Sequence, residues 1–316
     1  ARHLLVTPRS RQGLRALAVA GALGAAAAVW GIGVERYLFT LRRVELAILP
    51  PGSTPVRVLH ISDVHMAPWQ RRKQAWIASL ASLRPDLIIN TGDNMGHVDG
   101  LRGVRAAFAG FRGTPGFFVL GSNDNFGPTP RNPLRYFLGP SRRKRNPPRL
   151  DVTAMQNYFT ENLGWTNLDN ASGSVDVAGL RVNGFGVGDA HHDDDRLDLV
   201  PGMVESLHTD ANTSHKLTIG VAHAPYRRVL DTFTDAGAEA IFAGHTHGGQ
   251  VRLLGFGALV ANCDIPLKQA RGLSTWARRG RTVPLNVSAG LGHSIYAPVR
   301  FACRPEATLV TLIARA

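Results

Sequence analysis

Short apolar runs alternate with longer stretches of helical periodicity from residue 56 onward. Val56–Ile61, Leu87–Asn90 and residues 117–120 are apolar, and each is followed by polar residues: SDVH, TGDN and GSND. Helical periodicity follows the first two runs, around residues 71–83 and 101–111. This alternation predicts βαβ units and a largely parallel sheet.

The second half of the chain resumes the same pattern. Helices are predicted over residues 154–162 and 228–236, and the apolar runs around them are predicted strands. These strands cover residues 174–177, 180–185, 216–222, 240–243, 251–254, 285–288 and 308–313. His223 directly follows one strand, and the run GHTHGG follows another.

Polar residues recur at a constant interval in the first half. Thirty residues separate Asp63 from Asp93, and thirty more separate Asp93 from Asn123. One βαβ unit takes about 30 residues, so each of these residues falls at the same place in its unit. That place is the carboxyl end of the strands, where open α/β sheets bind their ligands.

The N-terminal segment has a different pattern. Residues 16–34 carry no charge over 19 positions, after a basic segment at residues 1–15. A membrane-spanning helix needs roughly 20 such residues, and the arginines before it predict a cytoplasmic N-terminus with the body outside. We interpret residues 16–34 as a transmembrane signal anchor or a signal peptide, with a soluble core helix as the third interpretation. Residues 35–55 are a predicted linker to a domain covering 56–316.

Residues 128–149 interrupt the alternation. They are rich in proline and in basic residues, among them Arg142 and Arg143, and they predict a surface insertion. Such a charge run is a solubilising loop or, beside a membrane anchor, a contact for anionic lipid or a phosphate-bearing substrate.

The amino-acid composition is unusual in its excess of positive charge. The 316 residues include 36 Lys and Arg against 23 Asp and Glu, which gives a formal net charge of +13. Such a surface attracts polyanions without choosing among them. Cys263 and Cys303 lie 40 positions apart, which is not a metal-ligand or redox spacing. They are packed thiols or, in an oxidising compartment, a disulfide.

Seven polar residues at the predicted strand ends form a candidate metal site: Asp63, His65, Asp93, Asn123, His223, His245 and His247. Residues two positions apart at a strand end point the same way, so Asp63 and His65 can reach one ion. His245 and His247 share this spacing and can also be split between two ions. Carboxylate, imidazole and amide ligands without thiolate suit Mn, Fe or Zn.

These motifs resemble the pattern of the calcineurin-like metallophosphoesterase family, which is DxH, GD, GNH[DE], H and GHxH. Here they stand as Asp63-Val64-His65, Gly92-Asp93, Gly121-Ser122-Asn123-Asp124, His223 and Gly244-His245-Thr246-His247. The runs GHTHGGQVRL, SAGLG and RFACRPEATLVTL are similar to its YkuE-like, membrane-associated or exported branch. The resemblance covers about residues 56–313 and implies an α/β fold, a four-layer α/β/β/α sandwich of two mixed sheets.

The resemblance also implies a binuclear centre. The first ion would be held by Asp63, His65 and His247, and the second by Asn123, His223 and His245. Asp93 would bridge both ions. Two ions about 3.5–4 Å apart can ionise a bridging water, hold phosphoryl oxygens and offset charge developing in an in-line displacement. This implies that a hydroxide bridging the metals attacks the phosphorus.

The third motif departs from the family pattern, because GSND stands where GNH[DE] is expected. Either Asn123 is the ligand and Asp124 replaces the family histidine, or Ser122 is the ligand and Asn123 replaces it. We favour Asn123, since an amide oxygen is the better ligand and the spacing is kept. Without the usual histidine acid, either the leaving group is a good one, such as a pyrophosphate-linked lipid or sugar nucleotide, or another residue donates the proton.

Asp124 is the first candidate for that proton donor, and His191 or His192 is the second. The acidic run around these histidines can also be a solvated turn. Arg142 and Arg143, with Arg271 and Arg300, are candidates for binding the substrate phosphate.

The leading hypothesis is a metal-dependent phosphomonoesterase or phosphodiesterase acting on a lipid-linked or cell-envelope phosphate ester. It would be a single-pass membrane protein with an extracytoplasmic catalytic domain, or an exported protein. The alternatives are a nuclease or nucleotide phosphodiesterase, and a non-catalytic metal-binding scaffold. The chain shows no aromatic stacking stripe for single-stranded nucleic acid, and this disfavours a nucleic-acid partner.

Overall fold

A long N-terminal helix precedes a body built on two mixed β-sheets. The computed structural model describes residues 8–130, 147–208 and 216–315. The helices are α1 (Pro8–Gly33), α2 (Arg71–Ser79), α3 (Gly100–Phe108), α4 (Ser122–Asn125), α5 (Val152–Asn157), α6 (Val200–His208) and α7 (Arg227–Asp235). Single turns of 3-10 or π helix extend α2, α3 and α5 at their C-terminal ends.

The first sheet contains the strands that carry the early motifs. In spatial order it comprises β1 (Thr40–Leu49), β14 (Glu306–Ala314), β2 (Val56–Ile61), β3 (Leu87–Asn90), β4 (Gly116–Phe118) and β5 (Trp165–Asn167). β14 runs antiparallel to β2, and the other neighbouring strands pair in parallel. The carboxyl ends of β2, β3 and β4 therefore meet at one edge of the sheet.

The second sheet carries the histidine motifs. In spatial order it comprises β12 (Gly272–Arg278), β13 (Arg281–Val287), β9 (Ala240–Ala243), β8 (Lys216–Val221), β7 (Leu180–Gly186) and β6 (Ser172–Val177). The four strands from β13 to β7 are parallel, and antiparallel strands flank them. A short hairpin, β10 (Arg252–Leu253) with β11 (Gly257–Ala258), lies outside both sheets.

Three apolar clusters define four layers. One cluster lies between the sheets and joins Val58 and Ile89 of the first to Ile219 and Phe242 of the second. A second cluster packs α2, α3 and α5 on the outer face of the first sheet. The third packs α6 and α7 on the outer face of the second sheet. The predicted α/β/β/α sandwich of two mixed sheets is confirmed.

Three predicted strands, β2, β3 and β9, begin and end at the residues that their apolar runs indicate. The predicted linker over residues 35–55 is wrong. Residues Thr40–Leu49 form β1, which pairs in parallel with β14 along its length. Its sequence, TLRRVELAIL, alternates polar and apolar residues because one face of this edge strand is half-exposed.

The N-terminal helix crosses a predicted boundary. Helix α1 begins at Pro8, so helical structure runs through the predicted limit at residue 16 between the basic and apolar segments. Among the described residues, the stretch Arg15–Tyr37 is long and apolar enough to cross a membrane by length and composition. Its large apolar side chains, including Leu17, Leu23 and Val29, are exposed.

The C-terminal end of α1 is nevertheless fixed to the body. The backbone N–H of Arg300 donates to the carbonyl oxygen of Gly31 over 3.1 Å. The buried Glu35 carboxylate accepts hydrogen bonds from the backbone N–H groups of Ala302 (2.9 Å) and Cys303 (2.6 Å), and from the Trp30 indole (2.8 Å). The apolar helix therefore ends on the segment around residue 300.

Replacing Gly31 with alanine is expected to loosen this contact. A Cβ there would lie 2.9 Å from the carbonyl oxygen of Arg300, and overpacking of this kind costs about 1–3 kcal/mol. We expect the Arg300 amide proton to exchange roughly tenfold faster in Gly31→Ala, which corresponds to about 1.4 kcal/mol.

Gly21→Ala is the matched control, because a Cβ at Gly21 meets nothing within 4 Å on the same helix. It should leave the Arg300 exchange rate unchanged. Equal rates in the two variants would contradict the docking of α1.

Candidate metal centre

Four of the strands end where the two sheets meet, and the predicted ligands follow them. In the first sheet, Asp63 and His65 come after β2, and Asp93 comes after β3. In the second sheet, His223 comes after β8, and the GHTH run comes after β9. The first sheet thus supplies the carboxylates, and the second supplies most of the imidazoles.

The backbone takes an unusual conformation at five of these residues. Each has a positive φ, in the left-handed region: Asp63 (46°), His65 (42°), Asp93 (55°), His245 (66°) and His247 (49°). Asp and His enter this region more readily than most residues, at a cost of order 1–3 kcal/mol each. The backbone at Gly244 also packs directly against Ser62, since a Cβ on Gly244 would overlap the Ser62 hydroxyl. Side chains are thereby directed inward at a cost in local stability.

One ligand cluster joins Asp63, His65 and His247, whose ligand atoms all lie within 4.8 Å of one another. The Nε2 atoms of His65 and His247 face each other at 3.2 Å. His247 Nε2 also lies 3.6 Å from Asp63 Oδ1. This is the set expected for the first ion.

A second cluster joins Asp63, Asp93 and His223 within the same limit. Asp93 Oδ2 lies 3.5 Å from His65 Nε2 and 3.6 Å from His223 Nε2. Asp93 therefore lies between the two histidines, where a bridging ligand is needed. His245 joins this cluster, because its Nδ1 is 3.3 Å from His223 Nε2.

Asn123, not Ser122, approaches the centre. Its side-chain amide donates to Asp93 Oδ2 over 2.7 Å, and its backbone N–H donates to Asp93 Oδ1 over 2.8 Å. A half-turn of the amide group would present its oxygen instead, which is the atom a cation would bind. The Ser122 backbone N–H donates elsewhere, to Asp189 over 3.1 Å.

Hydrogen bonds on the outer side orient two of the imidazoles. His223 Nδ1 lies 2.7 Å from the Thr91 carbonyl oxygen, which can only accept, so Nε2 is the nitrogen that faces the centre. His245 Nε2 lies 3.2 Å from the Asn262 carbonyl oxygen, which leaves Nδ1 for the centre. Ligand histidines of metal sites are held in this way. The donor set and its orientation fit divalent cations.

Burial controls the protonation of these groups. It raises the pKa of Asp93 to about 6 and lowers the pKa of His245 to about 3. It also lowers the pKa values of His65 and His247 well below their usual range. At His223 the carboxylates, Asp93 first, outweigh burial and raise the pKa to about 9. Neutral imidazoles are the metal-binding form, and a cation beside the carboxylates would offset the cost of burying their charge.

Asp124 has a different position from the one expected for a proton donor. It is fully buried, and both carboxylate oxygens accept from backbone N–H groups. The donors are Asp93 (2.9 Å), Asn94 (2.7 Å), Met95 (3.1 Å) and Gly121 (3.0 Å). An oxygen occupied in this way is not placed to give a proton to a leaving group. The geometry favours a positioning role, in which Asp124 joins the Asp93 loop to the GSND loop.

The other predicted histidines lie at the centre or next to it, whereas two of the predicted arginines cannot be placed. His191 lies at the centre, with its ring centroid 4.5 Å from that of His245 and its Nδ1 2.9 Å from the Tyr226 hydroxyl. His192 contacts the His191 ring edge-on, with the ring centroids 4.7 Å apart. Arg142 and Arg143 lie outside the described residues.

The prediction that Arg300 binds substrate phosphate is not supported, because the side chain is fully buried. It donates to the carbonyl oxygens of Gly292 (2.5 Å), Gly290 (3.2 Å) and His247 (3.3 Å). Arg300 therefore stabilises the His247 loop through hydrogen bonds to backbone carbonyl oxygens. Arg271 is half-buried, and its Nη1 lies 3.9 Å from the Cys303 sulfur.

Sequence reasoning missed Asp189. Its carboxylate accepts from the backbone N–H groups of Ser122 (3.1 Å) and His191 (2.9 Å), so it holds the GSND loop and His191 together. A signal was present, because the Gly188-Asp189 pair follows β7 just as Gly92-Asp93 follows β3.

Asp124→Asn tests the positioning role. An amide can accept through only one of its two terminal atoms, so at least two buried N–H groups would lose their acceptor. We expect a loss of about 1–3 kcal/mol in the free energy of unfolding, with kcat/KM falling by a similar factor for aryl phosphates of high and low leaving-group pKa. If the melting temperature is unchanged and kcat/KM falls only for substrates with poor leaving groups, Asp124 acts as the proton donor after all.

Comparison with known proteins identifies the family. Residues 56–249 match the family model for calcineurin-like phosphoesterases. The chain is 25% identical over 316 residues to the uncharacterised metallophosphoesterase YkuE of Bacillus subtilis strain 168, which covers 96% of each protein.

Solved structures of similar fold include NAD nucleotidase (NadN) of Haemophilus influenzae, with 13% identity and a TM-score of 0.45 over 75% of this chain. The match spans 51% of that nucleotidase, about half its length. TT1561 of Thermus thermophilus has 13% identity and a TM-score of 0.42, covering 75% of this chain and 91% of its own. On the family match and the clustered ligands, the chain belongs to the calcineurin-like phosphoesterase family and is a metal-dependent phosphoesterase.

Proposed function

We propose that this protein hydrolyses a phosphate ester carried by a membrane lipid, at a centre of two divalent cations of the Mn, Fe or Zn class. The observation that supports it most is the pair of ligand clusters that share Asp63, with Asp93 between His65 and His223. Such a pair of cations supplies, when bound, Lewis acidity that ionises water and offsets the charge of the phosphoryl group.

The protein's own groups hold this centre and orient the ester. Asp63, His65 and His247 form one half of the binding site, and His223, His245 and Asn123 form the other. The amide of Asn123 contacts Asp93 Oδ2 at 2.7 Å, beside the proposed bridging ligand, where it can act as a ligand or hold a phosphoryl oxygen. These groups are preorganised by their own hydrogen bonds, so they need little rearrangement when substrate binds.

The leaving group is proposed to be one that needs little protonation, such as a phosphate or nucleotide. The GSND motif lacks the usual histidine, and both oxygens of Asp124 are occupied. Where a proton is needed, His191 lies beside the second half of the centre, with its ring centroid 4.5 Å from that of His245, and its contact with Tyr226 fixes the ring orientation. Tyr226 and His191 would then face the ester oxygen that departs.

The membrane location is supported by two exposed apolar surfaces, each attached to the segment at residues 300 and 301. One is the exposed apolar side of α1, which ends against Arg300. The other is the tip of the β10–β11 hairpin, where Leu253, Leu254 and Phe256 are 50%, 85% and 71% exposed. Phe301 accepts from the Arg252 backbone N–H over 2.9 Å and thereby places the hairpin beside the same segment. We propose that both surfaces contact the bilayer and that the catalytic body is extracytoplasmic.

Asp93→Ala tests the catalytic centre. The full-length protein in detergent, supplied with Mn²⁺, is expected to hydrolyse bis(p-nitrophenyl) phosphate. Asp93→Ala should lower kcat/KM by about a thousandfold, because several kcal/mol of charge stabilisation is lost with the bridging ligand.

Asp176→Ala is the matched control, since Asp176 is an exposed aspartate that pairs with Arg181 on the surface. It should retain full activity. Wild-type protein that is inert with Mn²⁺, Fe²⁺ and Zn²⁺ would favour the scaffold, and digestion of DNA or RNA would favour the nuclease.

A further inference from the structure

A cavity of about 340 Å³ lies between the end of α1 and the metal centre. Its walls come from the turn after α1 (residues 36–39), the start of α2 (residues 69–73) and the loop at residues 293–298. This volume falls at the lower end of the range for small-molecule sites. We refer to it as the basic cavity.

Three arginines and one lysine line the basic cavity: Arg36, Arg71, Arg72 and Lys73. Across the described ranges 8–130, 147–208 and 216–315, none of them forms an ion pair with a carboxylate. Within the same residues, Arg36 Nε is buried and has no hydrogen-bond partner. Burial, followed by the charges of Arg300 and Arg36, lowers the pKa of Lys73 to about 7. Uncompensated cations in a concave site favour an anion.

Aromatic and apolar side chains form the rest of the wall. Tyr37 lies beneath two guanidinium groups, 4.5 Å from Arg36 and 5.7 Å from Arg72. Trp69 remains 60% exposed at the rim, although its ring touches His97 edge-on at 4.9 Å. A wall of this kind suits an apolar or unsaturated chain attached to the anion.

The inner end of the cavity adjoins the metal ligands. Lys73 Nζ donates to the carbonyl oxygen of Val64 over 2.7 Å, and Val64 separates the ligands Asp63 and His65. On the other side, Gly292 packs so closely that a Cβ would lie 2.8 Å from His65 Cβ, and the next residue, His293, lines the cavity. The cavity therefore adjoins the loop that carries Asp63 and His65, through Lys73 on one side and His293 on the other.

The outer end adjoins the apolar helix. Arg36 and Tyr37 belong to the 3-10 turn that directly follows α1, so a membrane-spanning α1 would place the cavity at the surface of the bilayer. A lipid-borne ligand would reach the cavity from this side. Arginines at this level also favour phosphate groups of the membrane surface.

We propose that the basic cavity binds the second phosphate of an amphiphilic diphosphate, whose first phosphate lies at the metal centre. This rests on the proposed phosphoesterase function and adds the substrate class: an apolar chain linked through two adjacent phosphates. Arg36, Arg72 and Lys73 contact the second phosphate, and Trp69 with Tyr37 contacts the first part of the chain.

The test compares two ligands that differ by one phosphate. The probes are the C-linked phosphonate and the C-linked methylenediphosphonate of a farnesyl chain, which offer no P–O–P or C–O–P bond to cleave. Binding is measured by isothermal titration calorimetry on the full-length, metal-loaded protein in detergent. We expect the diphosphonate to bind at least about tenfold more tightly, because charge-assisted hydrogen bonds to arginine contribute at least about 1.4 kcal/mol.

Arg72→Gln and Arg36→Gln should each remove most of the preference for the diphosphonate. Each should lower the affinity for the monophosphonate much less. Arg102→Gln is the matched control, because Arg102 is an exposed helix arginine on α3, outside the cavity. It should keep the preference of the wild type.

Equal affinity of the wild type for the two ligands would overturn the proposal, as would a preference that survives both cavity substitutions. The wild-type comparison needs no variant to fold. Wild-type activity on bis(p-nitrophenyl) phosphate separates the two failures. If that activity is present without a diphosphonate preference, the cavity assignment is wrong. If the preference is present without activity, the phosphoesterase function is wrong and the binding site stands.

Discussion

The concentration of buried charge at the junction of the two sheets is the constraint on which the rest of the structure depends. Asp63 is fully buried and Asp93 is 3% exposed, and three imidazoles, those of His65, His223 and His247, lie within 3.6 Å of them. Burial of two carboxylates so close together is costly unless cations or hydrogen bonds compensate. Because one sheet brings the carboxylates and the other most of the imidazoles, a bound cation pair would also fasten the two sheets together.

Several features far from the ligands follow from this constraint. Asp124 connects the Asp93 loop to the GSND loop by accepting from backbone N–H groups of both. The Arg300 guanidinium donates to the carbonyl oxygen of His247 and so fixes the His247 loop. The Arg300 backbone is in turn bonded to Gly31 of α1. A continuous chain of contacts thus runs from the apolar helix to the metal ligands, and it places the basic cavity beside both.

Much of the site could be predicted from the sequence, because its ligands follow strands at nearly equal spacing. A period of thirty residues is a property of βαβ units, and it brings Asp63, Asp93 and Asn123 to one edge without any knowledge of tertiary contacts. β1 could not be found from a buried apolar run, because this edge strand has a half-exposed face and alternates polar and apolar residues. The role of Asp124 could not be predicted, since its partners are backbone amides of a turn. The basic cavity is built from three segments that are distant in sequence, so no local motif indicates it.

Anomalous diffraction from crystals of the full-length protein grown with Mn²⁺ tests the central claim most directly. The account predicts two manganese peaks about 3.5–4 Å apart. One peak should lie among Asp63, His65 and His247, the other among His223, His245 and Asn123, with Asp93 between them. A single peak, or manganese bound away from the strand ends, would contradict the binuclear centre.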